Sequence, residues 1–290
     1  MKQDASEAFE NRFSENERAR DFYLQKLAQY RSAGFDSPQF HADLNSGRES
    51  FFQQQIWEMM LGCHLLDLKL NVSAIHYNAP DFLVEHNGTR IWIEAISPEP
   101  KGIPTETLEP PSAEFLVTAH PHEAILLRWT AAISAKLDAL TRYREKGVVS
   151  SNDCYLIAVN GCQLGWWLYP EGISQWPWAA EAALGIGPLT VTFDPGANNW
   201  GPMTNSARFS IQNANRSTID TDSFWSDDYA GVSAILGTVE KNWSTGASAM
   251  SVVHNPKALV PLPRWLLGET LEVTSSIEGD MLTATKSHRD

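Results

Sequence analysis

Ala79-Pro80-Asp81-Phe82-Leu83-Val84-Glu85-His86-Asn87-Gly88-Thr89-Arg90-Ile91-Trp92-Ile93-Glu94-Ala95 is the stretch whose reading decides the fold. Two apolar runs flank Asn87-Gly88, and Asn-Gly is the strongest short-range hairpin signal, because a type I′ turn needs positive φ at both central positions. With the turn there, Glu85 faces Arg90, Val84 faces Ile91, Phe82 faces Ile93 and Asp81 faces Glu94. The two-residue period of a strand then puts Asp81, Leu83, Glu85, Arg90, Trp92 and Glu94 on one face, and Phe82, Val84, Ile91, Ile93 and Ala95 on the other. Both faces are largely apolar. Glu85 opposite Arg90 is an ordinary cross-strand pair, whereas Asp81 opposite Glu94 sets like charges about 5 Å apart, which is destabilising unless something offsets it. A shared proton, a divalent cation, or rotation of one carboxylate into solvent would do so; Mg²⁺ is commonly held by one or two carboxylates plus water and substrate phosphate.

Outward from the hairpin, the first fifty residues read as helix, with Phe9, Phe13, Phe22, Leu24, Leu27 and Tyr30 among many charges and breaks at Gly34 and Ser37-Pro38. A second helix is predicted from about Arg48 to Leu66, with a wide apolar face. Glu49 at its head lies on a row with Phe52, Gln53, Ile56 and Met60. It serves either as an acid complementing the helix dipole behind a Ser46 cap, or as a third carboxylate facing the Asp81/Glu94 pair. Short β runs occupy Val72 to Ser97, an irregular Pro-rich stretch runs to Pro121, a third helix spans about His122 to Lys146, and a strand follows over Tyr155 to Asn160. On the third helix Lys136 falls on the apolar stripe of Trp129, Ile133, Leu140 and Tyr143. Its stem either snorkels, or its ammonium reaches an anionic site beneath the helix, with Arg128 as an alternative donor.

Beyond Gly161, five of the eleven tryptophans fall at positions 166, 167, 176, 178 and 200. They predict an irregular, aromatic-packed insertion, followed by strand-like runs at Gly231 to Gly237 and Met250 to His254 and a loose final dozen residues. Three segments are expected: a helical preamble over 1–47, an α/β core over 48–165, and a Trp-rich insertion with C-terminal strands packed on that core over 166–290.

Composition narrows the function. The 290 residues carry 22 basic and 35 acidic side chains, a net charge of −13 that argues against gripping nucleic acid through a broad basic surface. It leaves open an enzyme that meets phosphate through bound cations, which are often the largest charges in their site. Three cysteines without a CxxC pair suggest neither a disulfide framework nor a zinc site, and the polar start has no signal-peptide pattern, so a cytoplasmic protein with no membrane association is expected. No nucleotide-binding glycine motif, GxSxG or HExxH occurs, and the histidines are read as structural or surface residues.

A helix glutamate, a Pro-Asp opening a strand and a hairpin leading to a second acid resemble the PD-(D/E)xK nuclease superfamily over about Arg48 to Asn160. The resemblance implies a restriction-endonuclease-like αβββαβ core with a mixed sheet flanked by helices. It also implies a metal-dependent phosphodiester hydrolase acting on DNA in preference to RNA. Asp81 and Glu94 would hold Mg²⁺ or Mn²⁺, Glu49 would support the metal or its water, and a homodimer is compatible. The chain departs from the pattern at its fourth position, where Ile96 stands in place of the lysine. Superfamily members supply that lysine from a neighbouring helix, which points to Lys136, with Lys101 second. If neither reaches, the fold is an inactive interaction module. Proton transfer by the paired acids alone, in a sugar- or nucleotide-level hydrolase, is a third possibility.

Overall fold

The computed structural model describes residues 4–110, 119–196, 198–245, 249–279 and 281–289; of the irregular stretch expected up to Pro121, residues 111–118 lie outside these. Three helices, α1 (Ala5–Arg12), α2 (Glu17–Ser32) and α3 (Pro38–Leu44), precede α4 (Glu49–Asp67). Asp4, Asn16 and Ser37 cap the first three through side-chain oxygens, and Pro38 supplies a preset φ to the first turn of α3. Strands β1 (Asn71–Ala74), β2 (Phe82–His86) and β3 (Thr89–Ile96), helix α5 (His122–Glu145) and strand β4 (Cys154–Asn160) follow.

The later part of the chain adds α6 (Trp178–Ala183), a ribbon of β5 (Ile186–Asp194) and β6 (Asn199–Ala207), and a small hairpin of β7 (Ser210–Gln212) and β8 (Thr218–Asp220). It ends with β9 (Ala234–Thr238), β10 (Ser251–His254), β11 (Leu271–Glu278) and β12 (Met281–Ser287). One mixed sheet runs β1-β2-β3-β4-β9-β10-β11-β12. Pairing is parallel for β3 with β4, β4 with β9 and β10 with β11, and antiparallel elsewhere in this sheet.

The hairpin takes the expected register: Phe82 pairs with Ile93, Val84 with Ile91 and Glu85 with Arg90, around Asn87 and Gly88 at φ of 50° and 79°. Strand alternation splits the core in two. Phe82, Val84, Ile91, Ile93 and Ala95 point to α1–α4, with Leu156, Ala158 and Leu236. Trp92, Tyr155, Ile157, Val159 and Ile235 point to α5 and α6. The protein is therefore mixed α/β, a large sheet with helices on both faces. The N-terminal helices share the sheet's core directly, since the Phe35 ring meets Phe82 at 5.6 Å and Trp57 on α4 donates to the Ala158 carbonyl at 3.0 Å.

Three expectations for the later segment need correction. Its strands do not pack on a finished core: β9 to β12 are members of the same sheet, half of its eight strands. The supposed loose tail is β12, paired with β11 from Glu278–Met281 to Glu272–Ser287 around Gly279 at φ 60°; its alternating Leu282, Ala284 and Lys286 carried that signal. The tryptophans are not uniformly packed either, for Trp178 is fully buried while Trp166, Trp167 and Trp200 face solvent.

Gly62 is where α4 comes closest to its neighbours: a Cβ there would lie 2.8 Å from the Tyr30 ring and 3.1 Å from Phe82. Both rings belong to the α1–α4 core and have nowhere to retreat. Gly62→Ala is expected to destabilise the fold by about 1–3 kcal/mol despite its better helix propensity, read as a lower urea midpoint; a stabilised variant would contradict this packing.

Candidate active site

Pro80 precedes the strand and Asp81 stands at its mouth, where the carboxylate reaches across to β3 and accepts the Ala95 amide at 2.7 Å. Glu94, two residues before the end of β3, is buried and points to the α5 side. From α5, Lys136 places its ammonium 2.7 Å from Glu94 Oε1, so the cation expected over the acid pair is present there. Tyr143, seven residues along the same row, holds its hydroxyl 3.3 Å from Glu94 Oε2. The Lys136 carbonyl accepts the Tyr155 hydroxyl at 3.2 Å, tying that part of α5 to β4. Ile96, at the motif position, packs into the α5-side core.

The helix acid at the site is Glu58, not Glu49. Glu49 is half exposed and ion-paired with Arg12 at 2.7 Å, and it accepts the Gln53 amide at 2.9 Å. Glu58 lies nine residues further along α4, about 13 Å by the helix rise, and two and a half turns round from it. Gln54 fixes Glu58 by donating to its carboxylate at 2.8 Å. The oxygen of the Gln54 amide accepts the Ser97 backbone N–H at 2.6 Å, at the end of β3. The sequence did carry a signal: Glu58 interrupts the run Ile56-Trp57-Glu58-Met59-Met60-Leu61, where a charge has no solvent-side reason to stand. The other cation candidates do not supply this cation: Lys101 is exposed in a turn and Arg128 donates to the Glu99 carbonyl at 2.9 Å.

The electrostatics follow from one buried and two half-buried carboxylates under the influence of a single ammonium, which is bonded to Glu94. Burial, then Glu58 and Glu94, push the Asp81 carboxyl well above the usual range. Burial also raises Glu58, to about 7, against the Gln54 hydrogen bond and Lys136. Desolvation alone would lower the Lys136 ammonium, but Glu94 and Asp81 outweigh it and hold it charged beyond the ordinary lysine range. Burial and the same two acids raise the Tyr143 phenol.

Two other buried glutamates behave oppositely. Glu181 accepts His122 Nε2 at 2.6 Å, Arg208 at 2.9 Å and the Ser174 amide at 2.8 Å. Glu272 accepts His254, Arg264 and the Trp265 amide. Burial raises both, yet those hydrogen bonds carry both below the ordinary value. Neither network was legible from histidine spacing, because the partners come from distant segments. Both are satisfied structural clusters, whereas Asp81, Glu58 and Glu94 form a group with more carboxyls than cations.

That excess is what a hard divalent cation neutralises, and an all-oxygen donor set is the chemistry such a cation selects. Asp81 and Glu94 would hold it, with Glu58 available through water. Among the described residues no group of three or more His, Cys, Asp or Glu is already drawn together at metal-holding spacing. Compared with known proteins, the chain matches no family model, no curated protein and no solved structure.

The sign of the pH dependence follows from the raised carboxyls. Because Glu58 binds its proton more tightly when folded, its contribution is complete below about 4.5 and is lost as pH rises towards about 7; Asp81 acts in the same direction. Urea unfolding across that window is expected to show wild-type stability falling and Glu58→Gln falling distinctly less. An equal fall in both proteins would remove Glu58 from the shared charge cluster.

Proposed function

We propose that the chain is a metal-dependent phosphodiester hydrolase of the PD-(D/E)xK type, with DNA as its substrate in preference to RNA. The observation that carries this reading is the Lys136 ammonium at Glu94, supplied from α5 where β3 offers only Ile96. The succession α4, β1, β2, β3, α5, β4 supports it, as does the pairing of β3 with β4 in parallel. When bound, Mg²⁺ or Mn²⁺ would polarise the scissile phosphate and acidify a water molecule. The chain's own residues do the remainder. Asp81 and Glu94 provide oxygen ligands, Glu58 at about 7 is poised to accept a proton near neutral pH, and Gln54 keeps that carboxylate oriented. Lys136 stabilises negative charge developing on the phosphoryl oxygens.

Incubation of the purified protein with plasmid, single-stranded DNA and RNA in Mn²⁺ is the direct test. Cleavage is expected, with its loss in Asp81→Ala combined with Glu94→Ala, and a fall of about 10²–10³-fold in Lys136→Ala. Cleavage that survives the double substitution, or persists in EDTA, would sink the assignment.

A second reading, a nuclease-fold module that binds without cutting, is favoured by Ile96 at the motif position and by the charge of −13, which repels a polyanion. Calorimetric titration with Mn²⁺ separates the two. The hydrolase reading expects binding that Asp81→Ala abolishes; no heat in the wild type would favour the module.

A further inference from the structure

The β5–β6 ribbon is the strongest unexplained feature outside the site. Val191 pairs with Met203 and, beyond a register shift that takes up one extra residue of β6, Phe193 pairs with Trp200, so these four side chains share one face. The Phe193 and Trp200 rings are 4.8 Å apart. All four are open to solvent, at 41%, 64%, 42% and 65%. The opposite face is polar, with Thr190 paired to Thr204 and Thr192 between. A two-stranded hairpin is marginal in water on its own, and this one carries an apolar face that none of the described residues covers.

The ribbon is nonetheless held firmly at its base. Asn205 donates to the Ser174 and Gly187 carbonyls, both at 3.0 Å, and accepts Trp176 Nε1 at 2.9 Å. The Arg208–Glu181 pair at 2.9 Å closes the anchor. A rigid arm loses little entropy on docking. Beside that base lies an apolar cavity of about 470 Å³, lined among others by Trp176, Leu184, Phe209, Met281 and Leu282. Phe209 and Met281 at its rim are themselves exposed.

Charge selects the occupant. Residues 186–207 contain one charged side chain, Asp194, in a chain where one residue in five is charged. Nucleic acid would find no cation on this arm and a basic partner no acidic patch. Two copies of a −13 chain repel each other as wholes, and this nearly uncharged face is where their approach costs least. A standard interface buries roughly 800 Å² per partner, and a twofold axis, which makes each copy both donor and acceptor, uses tip and cavity twice.

We propose that the β5–β6 ribbon is a clasp through which two copies of this chain pair, the Phe193/Trp200 tip of each seated in the apolar cavity at the base of the other's ribbon. This holds whatever the site at Asp81 and Glu94 catalyses. Sedimentation equilibrium of the full chain over a concentration series is expected to show a monomer–dimer equilibrium, abolished in Phe193→Ser combined with Trp200→Ser with unchanged circular dichroism. Oxidative cross-linking provides the arm that does not depend on that variant folding. A mixture of Trp200→Cys and Met281→Cys chains should give disulfide-linked dimers, while Thr192→Cys, on the polar face, should not link to Met281→Cys; the three native cysteines are buried and do not interfere. A wild type that stays monomeric at every concentration, a dimer that survives the double substitution, or Thr192→Cys linking as readily as Trp200→Cys would overturn the clasp.

Discussion

The shortage of positive charge beside β3 is the constraint on which the site depends. Glu94 is buried on the α5 side while Asp81, Glu58 and Lys136 are half-buried, their charges act on one another, and among the described residues Lys136 is the ammonium bonded to Glu94. A paired buried ion is tolerable and an unpaired one is not. The protein meets the deficit by holding protons, and this is why Asp81 and Glu58 titrate so far above ordinary carboxyls. The same burial around Glu181 and Glu272 has the opposite outcome because arginine, histidine and backbone amides satisfy them fully. Burial alone therefore does not decide whether a carboxyl holds its proton or stays ionised; the completeness of its donor set does.

Much of the fold was readable locally. Asn87-Gly88 fixed the hairpin register, and that register set Asp81 beside β3 and both faces of the sheet. Lys136 was legible because a charge on an apolar helical stripe demands a partner, and Glu94 supplies it. Glu49 misled because a carboxylate at a helix head has two explanations, and the choice between them lay with Arg12, thirty-seven residues away in α1. Glu58 was missed for want of weighing a charge inside an apolar run. The long-range pairings escaped altogether: that β9 joins β4 in parallel, and that β10 to β12 extend the sheet, depends on contacts the local pattern does not encode. β5 and β6 were hidden by their Gly, Pro and Asn content, which reads as loop, and by two register shifts that interrupt any alternation along them.

Helix α5 ties these parts together mechanically. Its first residue, His122, is clamped to Glu181 on α6 and lies beside Arg208 at the foot of the ribbon. Fourteen residues further along the same rod, about 21 Å by the helix rise, is Lys136. A stiff element fixed at one end transmits a small tilt there as a displacement further along. The distance between ammonium and carboxylate is thus set partly by packing at the opposite end of the helix, and the alignment of the site is a property of the whole span rather than of the side chains that meet in it.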